Sequence, residues 1–160
     1  FTGFLPNEYS KLTKLTQLGL HGNQLVGSIP ESWKSMQDMI MFDVDTNQLT
    51  GTIDVVVNFK KVQELFLDAN LFTGTIPSNI GNLHKLERFF IEMTHIGGEI
   101  PKSIGLLTNL ITLDLNDTNL VGTLPLELFE CTKLSYLNLG SNSLSGTIPK
   151  GRSSNLNDLL

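Results

Sequence analysis

The sequence predicts an α/β solenoid, a stack of short repeats with a parallel β-sheet along one face and 3-10 turns or short helices along the other. Two observations predict it. A Gly-x-Ile-Pro phrase or a close variant recurs at Gly3, Gly27, Gly51, Gly74, Gly98, Gly122 and Gly146, at intervals of 24 residues with a single interval of 23. A fixed period in this range marks stacked-repeat architectures. Ahead of each full-repeat phrase stands an alternating apolar pair, such as Leu18 and Leu20, Leu65 and Leu67, or Leu113 and Leu115. Period-two alternation gives a strand with one buried face.

Each column of the repeat has its own physical reason. The first full repeat reads Leu15, Leu18, Leu20, Asn23, Leu25, Gly27, Ile29 and Pro30, and the sixth reads Leu134, Leu137, Leu139, Asn142, Leu144, Gly146, Ile148 and Pro149. Stacking the strands at about 4.8 Å per repeat makes a parallel sheet on the order of 30 Å long for six repeats. The Asn column sits where the chain leaves the strand and turns inward, and a buried Asn there can bond otherwise unsatisfied backbone. Thr94 and Thr118 interrupt it, with hydroxyls that can donate and accept. The glycine permits a tight bend. The proline fixes φ as the chain enters the outer segment. Segments such as Ser78–Leu83 and Lys102–Leu107 carry apolar residues at helical spacing and predict a short helix or 3-10 turn.

Each repeat buries roughly six or seven apolar side chains, each worth about 1.5–3 kcal/mol when fully covered, and most of that cover comes from neighbouring repeats. Residues 1–160 therefore read as one array of about six full repeats with partial repeats at Phe1–Pro6 and Leu156–Leu160. No terminal cap is visible, so the chain reads as a fragment of a longer protein. The period falters at Asp54, which replaces the proline ahead of Val55-Val56-Val57-Asn58, and in the 23-residue step from Asn47 to Asn70. That is read as an outer-face deletion, with a local change of curvature or a contact patch as the alternative. Lys150–Asn155 reads as an outer-face loop.

Charge and cysteine usage exclude several function classes. Eleven Lys plus Arg stand against 16 Asp plus Glu, a net charge of −5. That argues against a nucleic-acid partner, which needs basic stripes, and permits a basic or neutral one. No run of about 18 apolar residues spans a membrane, so any membrane attachment lies in segments outside this chain. The lone Cys131 excludes an internal disulfide, and it occupies the column of Leu12, Met36, Leu83 and Leu107, so it reads as a buried small hydrophobe. No metal-ligand spacing or cofactor motif is present. His21, His84 and His95 fall in different columns, and no nucleophile, base and orienting acid converge. Carboxylates on an open sheet exclude no water. No catalytic residue is assigned, and the protein is not expected to be an enzyme.

The pattern Leu-x-x-Leu-x-Leu-x-x-Asn-x-Leu-x-Gly-x-Ile-Pro resembles the plant-type leucine-rich repeat, over essentially the whole chain. It is similar to the repeats of plant receptor-kinase ectodomains, receptor-like proteins and polygalacturonase inhibitors, with algal and bacterial relatives. The resemblance implies a right-handed superhelix with a concave parallel sheet and a second short sheet near the Leu-x-Gly segment. It also implies binding through the concave face and a place outside the cell or at its surface. Two departures stand out. The paired cysteines of terminal caps are absent, and the only N-glycosylation sequon is Asn116-Asp117-Thr118, which makes Asn116 the glycosylation candidate.

The residues flanking each apolar pair face outward on the concave sheet. Phe66 and Phe90 become stacked neighbours with Arg88 beside them, and exposed aromatics with Arg are the usual anchors of a binding site. Their alternative role is a cross-strand pair covering itself. Asp45, Asp68 and Glu92 follow one another in a column with Asp43 adjacent, and like charges about 5 Å apart repel by roughly 1 kcal/mol even in water. The expected contact surface is Met41, Asp43, Asp45, Glu64, Phe66, Asp68, Arg88, Phe90, Glu92, Asp114 and Tyr136, binding a protein or peptide ligand, a basic one by charge. Two other roles stay open at this point. One is a structural subunit of a larger assembly. The other is ice binding through Thr50, Thr52, Thr73 and Thr75 with Ser28, Thr123, Ser145 and Thr147.

Overall fold

Six short strands, Gln17–Gly19, Met41–Asp43, Glu64–Phe66, Arg88–Phe90, Thr112–Asp114 and Tyr136–Asn138, pair in sequence order into one parallel sheet. The structure is a computed structural model that describes residues 1–148. Lys150–Asn155 and the partial repeat at Leu156–Leu160 lie outside the described residues. Between strands the chain crosses the core and returns along the outside through 3-10 turns at Asn7–Lys11, Glu31–Ser35, Asp54–Asn58, Ile80–Asn82, Lys102–Leu106 and Leu126–Glu130. With 24 residues per circuit, the outer segment has room for only one or two tight turns, which is where 3-10 geometry is used.

The sheet register matches the columns of the sequence. Gln17, Met41, Glu64, Arg88, Thr112 and Tyr136 stand side by side, as do Gly19, Asp43, Phe66, Phe90, Asp114 and Asn138. The short interval does not disturb it. Ile53 follows Ile29 by a full period, but Val56 follows Trp33 by one residue less, so the deletion lies at Asp54–Val55 on the outside. Pro6, Pro30, Pro101 and Pro125 hold extended backbone ahead of their 3-10 turns, with φ between −71° and −63°. Ile53 instead has φ −98° and ψ 15°.

The apolar columns form one continuous core from Leu5 to Cys131. Trp33 is fully buried, stacks on Tyr9 at 5.9 Å, meets Phe42 edge-on and donates its indole N–H to Pro6 O at 2.9 Å. Cys131 is buried, its Sγ lies 3.3 Å from Ile104 O, and burial pushes its thiol up to about 11, so it sits as a packed hydrophobe.

The second sheet is present but divided. Thr2–Phe4, Gln24–Gly27 and Gln48–Leu49 form one three-stranded piece, and Gly97–Gly98, Asn119–Thr123 and Ser143–Ser145 form another. The gap falls at Leu71–Thr75, directly across the exposed Thr50–Thr75 ladder. The Asn column ties each repeat to the one before it. Asn47 donates to the carbonyls of Leu20, Val44 and Asp45 and accepts the N–H of Leu25, and Asn70 and Asn142 repeat the pattern. Thr94 donates to Ile91 O at 2.7 Å but takes no bond from the preceding repeat. The expectation that a Thr hydroxyl would also accept is corrected here, because its shorter side chain stops at its own turn.

Candidate functional site

The concave face is built from residues flanking the buried Leu pairs, and its centre is aromatic. The Phe66 and Phe90 rings lie 5.2 Å apart with planes inclined by 20°, each half-buried on adjacent strands. Local structure does not call for them. In the same column Asp43 Oδ1 accepts the N–H of Asp45 at 3.3 Å, Asp114 Oδ1 that of Asn116 at 3.0 Å, and Asn138 Oδ1 that of Gly140 at 3.2 Å. These caps close the end of a strand. Phe66 and Phe90 cannot cap, so the repeat gives up that bond at two consecutive strands and places apolar surface there instead.

Charge surrounds the stack. Arg88 lies beside it and reaches Glu64 Oε1 at 3.4 Å. Asp43 Oδ2 lies 2.8 Å from His21 Nδ1, a pairing outside the predicted set although the two share neighbouring columns. Asp45, Asp68 and Glu92 stand in one column, half-buried. Burial first, and then the charges of Asp45, Asp43 and Asp114, push Asp68 up to about 6. Burial, followed by Asp114, Asp68 and Asp45, pushes Glu92 up to about 7. Glu92 Oε2 is buried and has no hydrogen-bond partner.

Asp114 corrects the expected exposed surface. It is only 5% exposed, because Tyr136 and Asn138 of the next strand close over it. Tyr136 donates its hydroxyl to Asp114 Oδ2 at 2.9 Å and Asn138 its amide at 3.2 Å, and the carboxylate holds the phenol above its usual range. Asp114 is a supporting residue under Tyr136, which itself is 46% exposed. Asn138 belongs to the arrangement and was missing from the predicted set. Met41 lies half-buried at the other side of the stack. Asn116 is half-buried at the edge of the face, and the hydroxyl of its sequon partner Thr118 is bound to Leu115 O and Asn142 Oδ1. Among the described residues no cluster of His, Cys, Asp and Glu is arranged to hold a metal ion, and no helix is long and apolar enough to cross a membrane.

A curved parallel sheet with one Leu pair, one Asn and one 3-10 turn per circuit defines a leucine-rich-repeat solenoid. The chain belongs to that family: the Leucine Rich Repeat model matches residues 14–36, 61–83, 109–131 and 133–154, more than half of its length. Receptor-like protein 52 of Arabidopsis thaliana is 41% identical over 78 residues, which cover 48% of this chain and 10% of that protein. The Arabidopsis receptor kinase HAESA, solved in complex with the peptide hormone IDA and the co-receptor SERK1, superposes with a TM-score of 0.89 at 34% identity, over 93% of this chain and 25% of that one. The plant peptide hormone receptor RGFR1, solved in complex with RGF2, gives a TM-score of 0.85 at 30% identity, over 93% of this chain and 28% of that one. The chain thus spans about a tenth of the length of the curated relatives it matches.

Proposed function

We propose that this chain is a non-catalytic recognition module of a receptor-like or secreted protein, taking a protein or peptide of basic character on its concave face, outside the cell or at its surface. One observation carries the proposal. Phe66 and Phe90 form a stacked, half-exposed pair at the centre of an open sheet, in a column where Asp43, Asp114 and Asn138 cap strand ends. A stack of this kind presents a flat apolar anchor at low entropic cost, and Arg88 beside it adds a directional donor. Acidic residues outnumber basic ones on the same face, which sets the preference for a basic partner. The peptide complexes of HAESA and RGFR1 support a peptide as the partner class.

The test is selection of displayed random linear peptides on the chain, followed by affinity measurement against a Phe66→Ala/Phe90→Ala variant. Selected peptides should weaken at least about tenfold on the variant, while far-UV circular dichroism stays unchanged. Peptides that bind both proteins equally would place recognition elsewhere.

A further inference from the structure

The fold sets the asparagine of the single sequon, Asn116-Asp117-Thr118, on the concave side. Asn116 follows the strand Thr112–Asp114 and is half-buried, and its backbone N–H is held by Asp114 Oδ1 at 3.0 Å. The side-chain amides of Asn47, Asn70 and Asn142 are tied into their turns, donating to the carbonyls of Val44, Leu67 and Leu139. Among the described residues the Asn116 side-chain amide makes no hydrogen bond. An N-linked sugar takes the place of one amide hydrogen, so a folded chain accommodates it where the amide is not committed to a buried turn.

The next strand supplies the room. A Cβ on Gly140 would lie 2.8 Å from Asn116 Oδ1 and 3.9 Å from its Cγ, so the amide already leans into the space that a side chain there would need. Gly140 itself is exposed. The lean has a direction. Gly140 follows the strand Tyr136–Asn138, on one side of Asn116, whereas Phe90 lies on the strand Arg88–Phe90 on the other. A sugar on this amide starts on the side of its strand away from the aromatic stack.

That end of the face is also closed on itself. Asp114 is met by Tyr136 and Asn138, and Asn138 Oδ1 holds the Gly140 N–H. Phe66 and Phe90 instead stand open. We propose that Asn116 carries an N-linked glycan that covers the Tyr136 end of the concave face and confines the partner to the strands Met41–Asp43, Glu64–Phe66 and Arg88–Phe90. It rests on the extracellular concave-face role proposed above and marks where that site stops. A glycan is bulky and solvated, and it excludes a docking chain from the strands beneath it.

The chemistry needs an activated donor, an oligosaccharide carried on a lipid pyrophosphate. A bond forms between Asn116 Nδ2 and the anomeric carbon, the bond from that carbon to the pyrophosphate oxygen breaks, the amide gives up one proton, and the lipid pyrophosphate leaves. Thr118 sets the timing. Its hydroxyl defines the acceptor, yet in the fold it is buried and bound to Leu115 O and Asn142 Oδ1. Transfer therefore precedes the folding of this repeat, and the folded chain holds the sugar in the space above Gly140.

The experiment expresses the chain behind a secretion signal in a eukaryotic host. Intact mass should show one glycan, removed by peptide N-glycosidase and absent from Asn116→Gln. Because the glycosidase leaves aspartate at 116, Asn116→Gln provides the sugar-free chain with its charge unchanged. Peptides that require Phe66 and Phe90 should bind the glycosylated and sugar-free chains within about twofold of each other. Selection on the sugar-free chain should also return peptides that weaken on Tyr136→Ala, and selection on the glycosylated chain should not. A secreted chain without sugar on Asn116 overturns the glycan and, if its peptides still need Phe66 and Phe90, leaves the concave-face function standing. Peptides dependent on Tyr136 that are returned equally by both chains overturn the boundary. Peptides indifferent to Phe66 and Phe90 overturn the concave-face function itself.

Discussion

Asn70 Oδ1 accepts the backbone N–H of Leu49 at 2.9 Å, while its amide donates to the carbonyls of Val44, Leu67 and Asp68. One side chain thereby ties two consecutive repeats together. One repeat later the position is Thr94, which reaches only Ile91 O, and the adjoining segment Leu71–Thr75 forms no strand. Thr94→Asn should restore the missing bond to the Phe72 N–H. The expected gain is about 0.5–1.5 kcal/mol, seen as a higher urea midpoint and slower amide exchange at Phe72. A lower midpoint would mean that the pocket around Thr94 is too tight for the larger side chain.

The turn after each concave strand contains a residue at positive φ. Gly22 fills it in the first full repeat, but Thr46, Ala69, Met93, Asp117 and Ser141 fill it later, with φ between 48° and 54°. A β-branched residue is the least suited to that conformation. Thr46→Gly should stabilise the chain by about 0.5–1 kcal/mol, the left-handed penalty relieved less the added entropy of the unfolded chain. Equilibrium urea denaturation at fixed pH measures it.

Gly105 packs for a different reason. A Cβ built there would lie 2.3 Å from Glu127 O, a backbone atom of the next outer turn that cannot rotate away. Gly105→Ala should destabilise by about 1–3 kcal/mol, with the loss registered in thermal melts. A melting temperature equal to that of the unsubstituted chain would show that the outer turns slide apart freely.

Stability should depend on pH in the direction opposite to most acidic proteins. Asp68 sits at about 6 and Glu92 at about 7 in the folded chain, against 3.8 and 4.5 as ordinary values. The folded chain therefore binds more protons than the unfolded one between these limits. Stability then falls as pH rises from about 4 to about 7. Urea midpoints taken at pH 4.5 and pH 7.5 on the order of these limits should decline, and Glu92→Gln should reduce the decline. A midpoint that rises with pH would show that the concave carboxylates are not crowded in the folded state.

The concave stack was legible from the sequence because register follows from period. Counting from one Leu pair to the next places Phe66 against Phe90 and Glu64 against Arg88, as the sheet has them. The support for the face was less legible. Asp114 looks like Asp43 in the column pattern, yet the first is closed over by Tyr136 and Asn138 of the next strand, whereas the second, flanked by Phe66 and Gly19, is partly covered by His21. The His21–Asp43 pair could have been found by comparing adjacent columns.

The sequence by itself determined the stack, the buried columns, the outer position of the deletion and the aromatic pair at the centre of the concave face. Each of these follows from spacing along one chain, and the 24-residue period carries that spacing from repeat to repeat. Only the tertiary structure decided that a Thr hydroxyl falls short of the preceding repeat, that Asp114 lies beneath Tyr136, and that a Glu92 oxygen is buried with no donor. These depend on how far a side chain reaches across a gap between strands, and reach across a gap is set by packing in three dimensions, which periodicity does not encode.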